Sequence, residues 1–395
     1  MKWLKWILLP LGTGVAAGSA SAMFLASLDS VIAMQLRSAW LLWLLPIGGA
    51  AVSLIYMKYG KDAVRGNNLV LEQVHSGNGH IPLRMAPLVL LGTLITHLFG
   101  GSAGREGTAV QMSGSLSSAI GGWLGLDERE RRMAVLCGIG AGFGSVFGTP
   151  IAGAVFGLEA SSRGAMRYHA LLPCLIASFT GHYVTLAWGI KHTHYAIGEL
   201  PTLHWLVMVK VAAAALAFGL AAWLFIRLTA TLKKLFARGF KHPALRSFVG
   251  GVIIIALVYG IGSRDYLGLG LPLMADAFDG EASPFAFMWK ILFTSVTLGS
   301  GFMGGEVTPL FVIGSALGNT LSPYLALPAS FLAALGLASV FGAASKTPVA
   351  CTILGLELFG IHGALYLLIA CFISTAVSGR MGIYESHIRT YVPKR

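Results

Sequence analysis

The sequence predicts an all-α membrane protein that crosses the lipid bilayer several times. Of its 395 residues, 55% are hydrophobic and only 11% are charged, whereas a soluble domain of this size carries more charge. The apolar residues form long blocks and do not alternate with polar ones, so spanning helices are expected instead of a β-barrel. The 51 glycines are typical of closely packed and interrupted membrane helices.

The net charge of +12 lies mainly in short segments between the apolar blocks. Lys and Arg in such segments indicate cytoplasmic loops and headgroup contacts, so no nucleic-acid partner is expected. The four cysteines lie inside apolar segments, without the spacing of disulfides or metal ligands. We therefore predict a protein that is not an enzyme and that carries no metal and no cofactor.

The N-terminal segment begins with Lys2 and Lys5 and continues as an apolar run. Ala20-Ser21-Ala22 resembles the cleavage site of a secretory leader, and a cleaved leader stays an alternative. The apolar run continues beyond that site, which favours an uncleaved first span over residues 5–28. The two lysines place the start of this span in the cytoplasm. A second span is expected over residues 39–57.

The run Gly104-Arg105-Glu106-Gly107-Thr108 interrupts an apolar region. Ionisable groups at membrane depth cost about 2.5–3.5 kcal/mol each, so they usually line an ion or proton path. The glycines predict a broken helix whose second part begins near Glu106. The start of a helix offers unpaired N–H groups to an anion. The alternative is an Arg–Glu pair that only braces two helices.

The following segment, up to the middle of the chain, contains a charged stretch and a series of glycines. Residues 127–132 are expected to form a charged loop, and the glycines between 138 and 148 are expected to allow tight helix packing. Thr149-Pro150 predicts the start of a helix, because proline suits the first turn. Glu159 on that helix is predicted to make structural hydrogen bonds. His97, further back, is predicted to be a satisfied core or interface residue.

The second half of the chain begins after a polar connecting loop over residues 191–203. A long span over residues 206–228 is expected to lead into the most basic loop, residues 227–246. Further spans follow to about Val377. The tail that starts at residue 380 is short, so no soluble C-terminal domain is expected.

The two halves of the chain repeat each other. Thr149-Pro150 and Thr347-Pro348 are 198 positions apart, as are Glu159 and Glu357. A second set of matches is 200 positions apart and joins Gly104, Glu106 and Thr108 to Gly304, Glu306 and Thr308. We therefore predict a first transmembrane repeat over residues 1–190 and a second over residues 204–395. The positions of the basic residues predict that the second repeat is inverted relative to the first.

Inverted repeats of this kind hold their substrate where interrupted helices meet near the midplane. Three breaks are expected to converge, at residues 66–70, 104–108 and 304–309. Helix starts that point at one place predict a bound anion, and the lack of an arginine cluster indicates a small one. Glu106 can occupy the same positive place as the anion and leave it when protonated, which couples anion movement to proton movement.

These motifs resemble those of the CLC family of chloride channels and proton-coupled anion exchangers, over nearly the whole chain. Gly104-Arg105-Glu106-Gly107 is similar to the family's GREGP motif, and residues 304–309 are similar to its GGxFxP region. Tyr384 resembles the late tyrosine that gives a hydroxyl to the anion site. The resemblance implies a homodimeric membrane protein with an inverted repeat.

The departures from the family pattern resemble its fluoride-exporting branch, the bacterial fluoride/proton antiporters. Thr108 replaces a proline, Asn67 replaces a serine, and Glu306 and Thr308 replace apolar residues. Ala160 stands where chloride exchangers carry an internal proton-transfer glutamate. The resemblance implies that Glu106 is the proton-coupled gate and that Glu306 is a candidate for the inner proton or anion site. The residues implied to bind the anion are Asn67, Gly104, Arg105, Gly107, Thr108, Val307, Thr308 and Tyr384.

We therefore expect a fluoride/proton antiporter in the bacterial inner membrane, with its N-terminus in the cytoplasm and with fluoride, protons and lipid as partners. A chloride/proton exchanger or an anion channel of the same fold is the main alternative. An intramembrane hydrolase is a further one, because Gly100-Gly101-Ser102-Ala103-Gly104 fits the G-x-S-x-G pattern. That pattern lacks the expected strand–turn–helix context here.

Overall fold

The computed structural model describes residues 2–76, 80–161, 168–192, 196–198 and 200–384, and their regular structure is helical. The first half contains α1 (Lys2–Arg37), α2 (Leu45–Ile55), α3 (Asn67–Ser76), α4 (Met85–Leu98), α5 (Glu106–Trp123), α6 (Glu128–Phe147), α7 (Pro150–Ala160) and α8 (Leu171–Ala187). The second half contains α9 (Trp205–Gly239), α10 (Pro243–Ile261), α11 (Leu271–Asp279), α12 (Ala286–Gly299), α13 (Val307–Leu325), α14 (Ala329–Ser345), α15 (Pro348–Phe359) and α16 (Ala364–Val377). Short 3₁₀ or π turns occupy Ala39–Leu44, Tyr56–Gly60, Lys61–Arg65, Tyr168–Ala170 and Ile361–Gly363.

Several helices have the length and composition of membrane spans, which confirms the predicted class. In the described part of the chain, five helical stretches are long and apolar enough to cross a bilayer. They are Trp6–Arg37, Ala39–Val74, Tyr168–Ala187, Trp205–Gly239 and Pro243–Ile261. Several other apolar helices, such as α4, α7 and α15, are too short to cross a bilayer on their own.

Each half is built around one buried helix. In the first half α6 packs against α1, α5, α7 and α8, and in the second half α14 packs against α9, α13, α15 and α16. Glycine allows these close approaches. A Cβ at Gly142 would meet the backbone and side chains of α5, and one at Gly153 would meet the backbone of α6. The predicted role of the glycine series in tight packing is thus confirmed.

The two halves meet through pairs of helices that occupy the same place in each half. α2 packs on α10, and α7 packs on α15. Glu159, near the end of α7, accepts hydrogen bonds from the backbone N–H groups of Val349 (3.1 Å) and Ala350 (2.7 Å) at the start of α15. This observation confirms the predicted structural hydrogen bonding of Glu159.

Glu357, near the end of α15, makes the reverse contact. Its carboxylate accepts from the N–H groups of Ile151 (2.9 Å) and Ala152 (2.7 Å) at the start of α7. Each half therefore caps a helix start of the other, satisfying N–H groups that a helix leaves without internal partners.

Two predicted loops are helical. Asp127 caps α6 in a capping box with Glu130, so residues 128–132 form the first turns of that helix and no loop. α9 continues to Gly239, well beyond the predicted end of the span. Lysine and arginine are good helix formers, so the basic residues extend the helix out of the apolar region. α1 likewise extends to Arg37, because nothing after residue 28 stops it.

Candidate functional site

The starts of α5 and α13 meet at an isolated antiparallel bridge between Gly104 and Gly305. The N–H of Gly104 donates to the carbonyl of Gly305 (2.6 Å), and the N–H of Gly305 donates to that of Gly104 (2.7 Å). A Cβ at Gly305 would lie 2.8 Å from the backbone nitrogen of Gly107, so a side chain is excluded. The bridge holds two helix starts, one from each half, side by side.

The fully buried carboxylate of Glu106 lies between these two helix starts. One oxygen accepts from the N–H of Thr308 (3.0 Å) and from the N–H of Arg105 (3.2 Å). The Thr308 hydroxyl lies 2.6 and 2.7 Å from the two oxygens and donates its single proton to one of them. The Arg105 guanidinium contacts the other side of the carboxylate at 3.3 Å.

Such a place suits an anion on physical grounds. Backbone N–H groups at helix starts carry the positive end of the helix dipole, and a hydroxyl and a guanidinium add further donors. Hydrogen bonds to a charged acceptor are stronger than neutral ones. Glu106 therefore occupies, as a bound side chain, a position in which a small anion would find the same donors.

Two cavities lie next to the first turn of α13. The polar cavity has a volume of about 200 Å³. Its polar lining residues are Asn67, Asn68, Gln111, Lys233, Glu306 and Tyr384. The apolar cavity, of about 40 Å³, is lined mainly by hydrophobic residues together with Arg105, His192 and Thr308. Since Glu306 lines one cavity and Thr308 the other, the start of α13 separates them.

The structure brings most of the residues singled out from the sequence to this place. Asn67 is the first residue of α3, and its amide nitrogen lies close to Gly107, because a Cβ there would be 3.0 Å away. Its side-chain oxygen is buried and has no hydrogen-bond partner among the residues that the structure describes. Tyr384 is buried and shares the polar cavity with Glu306. Val307, also buried, is the first residue of α13.

Thr108 differs from its counterpart Thr308. Its hydroxyl is bonded to the hydroxyl of Thr93 on α4, at 2.7 Å, and both side chains are fully buried. This bond directs the hydroxyl of Thr108 at α4, whereas that of Thr308 binds the Glu106 carboxylate.

Comparison with known proteins identifies the family of the chain. The family model described as "Voltage gated chloride channel" matches residues 48–379, most of the chain. The chain belongs to this family, the CLC family. A chloride/fluoride channel protein of Pseudomonas syringae pv. tomato is 46% identical over 389 residues, which cover 97% of this chain and 86% of the relative.

Solved CLC structures share the fold. A crystal structure of a CLC-type fluoride/proton antiporter matches with a TM-score of 0.94 and 36% identity, over 97% of each chain. A slow cyanobacterial Cl⁻/H⁺ antiporter matches with a TM-score of 0.84 and 21% identity over 98% of each, a likeness that shows the fold alone. The resemblance seen in the motifs is thus confirmed, and the family is one of channels and transporters.

The sequence alone did not identify Lys233, Asn68 and Gln111 as residues of this CLC site. They reach the polar cavity from α9, α3 and α5, and only the folded chain brings them together. Lys290 was also missed, although a lysine within an apolar helix is a sequence signal in its own right. It is fully buried, and its ammonium donates to the carbonyls of Tyr266 (3.1 Å) and Gly268 (2.9 Å).

The prediction that His97 is a satisfied core residue is wrong in one respect. His97 is buried as expected, but within the described part of the chain neither ring nitrogen has a hydrogen-bond partner. Its position at the end of α4 places the ring within electrostatic range of Lys290 and Arg105, and these cations offer no acceptor to its N–H.

Ser102, which fits the hydrolase pattern, lies in a buried segment between α4 and α5. Its hydroxyl is bonded to that of Thr294 at 2.9 Å, and its N–H donates to the Thr297 hydroxyl at 3.2 Å. A nucleophile elbow places its serine in an open turn after a strand. In the described chain around Ser102, helices flank the residue on both sides.

Proposed function

We propose that this CLC protein exports fluoride from the cytoplasm in exchange for protons, with Glu106 as the proton-carrying gate. The observation that carries the proposal is the Glu106 carboxylate, which is bound by donors from both helix starts, where an anion would be bound. A carboxylate and an anion compete for such a place. Protonation removes the charge of the carboxylate, so the side chain leaves and fluoride enters.

The polar cavity is the cytoplasmic entrance in this proposal. It is lined by Lys233 on the basic end of α9, where Lys234 and Arg238 also lie. Basic residues near the ends of membrane helices favour the cytoplasmic side. The same rule places Lys2 and Lys5, and with them the N-terminus, in the cytoplasm of a bacterial inner membrane. The first repeat then covers residues 1–190 and the inverted second repeat residues 204–395.

The polar groups around this cavity suit fluoride better than chloride. Fluoride is smaller and holds its water more tightly, so a site must supply more and stronger donors. Asn67, Thr308 and Tyr384 each provide a hydrogen-bond donor. The Asn67 amide lies beside Gly107, and the Thr308 hydroxyl contacts Glu106.

Glu306 is the second carboxylate of the proposed mechanism. It lines the polar cavity, on the opposite side of the α13 start from the cavity that Thr308 lines. A carboxyl group there can take a proton arriving from Glu106 and release it toward the cytoplasm. The proton leaves as fluoride moves the other way, so the inward proton gradient drives fluoride out.

The relatives support this assignment and leave one alternative. The fluoride/proton antiporter is the solved structure with 36% identity, whereas the Pseudomonas relative is described as a chloride/fluoride channel. A chloride transporter or an anion channel of the same fold is therefore the second candidate. By analogy with the family, we also propose that the protein works as a homodimer.

Anion efflux from liposomes that contain the purified protein tests the proposal. Fluoride- and chloride-selective electrodes and an external pH electrode would follow the three ions in one vesicle preparation. We expect fluoride efflux together with proton uptake, and little chloride efflux. Comparable chloride efflux, or fluoride efflux without proton movement, would assign the protein to the second candidate class.

A further inference from the structure

We propose that Lys233 is an anion-recruiting residue at the mouth of the polar cavity, where it offsets the charge of Glu306. The proposal rests on the proposed function of the cavity as the fluoride entrance. Lys233 and Glu306 line the same cavity, together with Asn67 and Tyr384. The two side chains lie close enough to interact electrostatically.

The position of Lys233 is fixed by the packing of α9. This helix packs on α12, and at Gly299 on α12 a Cβ would lie 3.0 Å from Leu232 and 3.3 Å from the backbone nitrogen of Lys233. The backbone on which Lys233 stands is therefore held against the wall of the cavity. The side chain itself is exposed.

The positive charge of Lys233 offsets the repulsion between the Glu306 carboxylate and an incoming anion. A deprotonated carboxylate in a narrow cavity repels an incoming anion, and unit charges a few ångströms apart interact strongly where water is restricted. Lysine carries a compact positive charge with three N–H donors. It can attract fluoride to the cavity while Glu306 is charged, and it adds to the field that concentrates anions at the entrance.

Lys234 supplies a matched control. It follows Lys233 on the same helix and is also exposed, but successive residues of an α-helix point about 100° apart. Among the described residues that line the polar cavity, Lys233 occurs and Lys234 does not. The two substitutions remove the same charge from the same turn of α9, and they differ in whether the lysine lines the cavity.

The test compares Lys233→Gln with Lys234→Gln in oriented vesicles, with fluoride supplied on the side of the polar cavity. At low ionic strength, Lys233→Gln should raise the fluoride concentration that gives half-maximal flux by about five-fold, as expected for losing one nearby charge in a hydrated mouth. The maximal rate should change little. The increase should shrink as salt screens the charge, and Lys234→Gln should behave as wild type.

A cysteine variant tests the charge directly. Lys233→Cys should show the same weakened fluoride dependence, and modification with a positively charged thiol reagent should restore it. A neutral reagent of the same size should not. The four native cysteines are buried, and the same treatment of wild-type protein controls for them.

The outcomes separate the two proposals. Equal behaviour of Lys233→Gln and Lys234→Gln, or rescue by the neutral reagent, would overturn the role of Lys233 while fluoride transport by wild type stands. A wild-type protein that moves no fluoride against protons would instead overturn the proposed function. Lys233→Arg, which keeps the charge, should need less fluoride for half-maximal flux than Lys233→Gln, and equal values would also overturn the role of the charge.

Discussion

The two halves of the molecule share two pairs of matched carboxylates, and the two pairs behave differently. Glu159 and Glu357 do the same thing in both halves, since each caps the helix start of the other half with two hydrogen bonds. Glu106 and Glu306 do not match in this way. Glu106 binds Thr308 across the halves, whereas Glu306 lines the polar cavity.

This difference between the two pairs separates a structural role from the proposed transport role. The Glu159 and Glu357 contacts, which both halves make in the same way, hold the two halves together. Glu106 and Glu306 have different surroundings, and the proposed mechanism gives them two different steps, the gate and the inner proton transfer. Thr308 and Thr108 show the same break in symmetry, because one hydroxyl binds the carboxylate and the other binds Thr93.

The largest effect is expected from Glu106→Gln. The amide cannot carry a proton in exchange for an anion, so proton uptake coupled to fluoride should fall on the order of a hundred-fold. Parallel recordings of fluoride and pH in liposomes measure the ratio of the two fluxes. Glu357→Gln is the control, because it changes a matched carboxylate outside the site. If Glu106→Gln kept coupled transport, the asymmetric pair would have no special role.

Thr308→Val should come next. It removes the hydroxyl that lies 2.6 Å from the Glu106 carboxylate and leaves the backbone N–H in place. A hydrogen bond to a charged group contributes about 1.5–3 kcal/mol, so fluoride turnover should slow by about ten-fold or more. Thr308→Ser restores the donor and should restore the turnover in the same efflux measurement. Equal rates in both variants would show that the hydroxyl is dispensable.

Glu159→Ala and Glu357→Ala should act on stability. Each leaves two N–H groups at a helix start without their acceptor, at a cost of about 1–3 kcal/mol. Glu159 is more buried than Glu357, so its replacement should cost more. Thermal unfolding in detergent measures the loss. The ratio of protons to fluoride in the folded fraction should stay that of wild type, and a changed ratio would bring this pair into the mechanism.

Thr108→Val should have the smallest effect. It leaves the fully buried Thr93 hydroxyl without this partner, at a cost of about 1–2 kcal/mol of stability. Fluoride affinity should be unchanged, because the hydroxyl of Thr108 is committed to α4. A large rise in the fluoride concentration for half-maximal flux would place Thr108 in the anion site after all, and would remove one of the differences between the halves.

The sequence predicts the parts of this comparison that depend on local signals. The glycines before Glu106 locate the start of α5, and Thr149-Pro150 locates the start of α7. Constant offsets along the chain pair the carboxylates of the two halves. Which group each carboxylate binds does not follow from the offsets, because matched residues share a position in the repeat and need not share a partner.

Other features depend on how the chain folds back on itself. The sequence predicts a loop at Lys233, because a basic segment after an apolar span usually marks the end of that span. The helix instead continues, which brings Lys233 to the polar cavity. The unpartnered ring of His97 is unpredictable for a similar reason, since its charged neighbours come from α12 and from the segment that leads into α5.

The reciprocal caps also have a consequence for how the protein is made. The ribosome synthesises α7 about 200 residues before Glu357. The N–H groups of Ile151 and Ala152 therefore lack their native acceptor until Glu357 has been made. In the folded protein Glu357 caps α7 and Glu159 caps α15. The first half therefore leaves the ribosome before the native acceptor for the start of α7 exists, and α15 supplies that acceptor later.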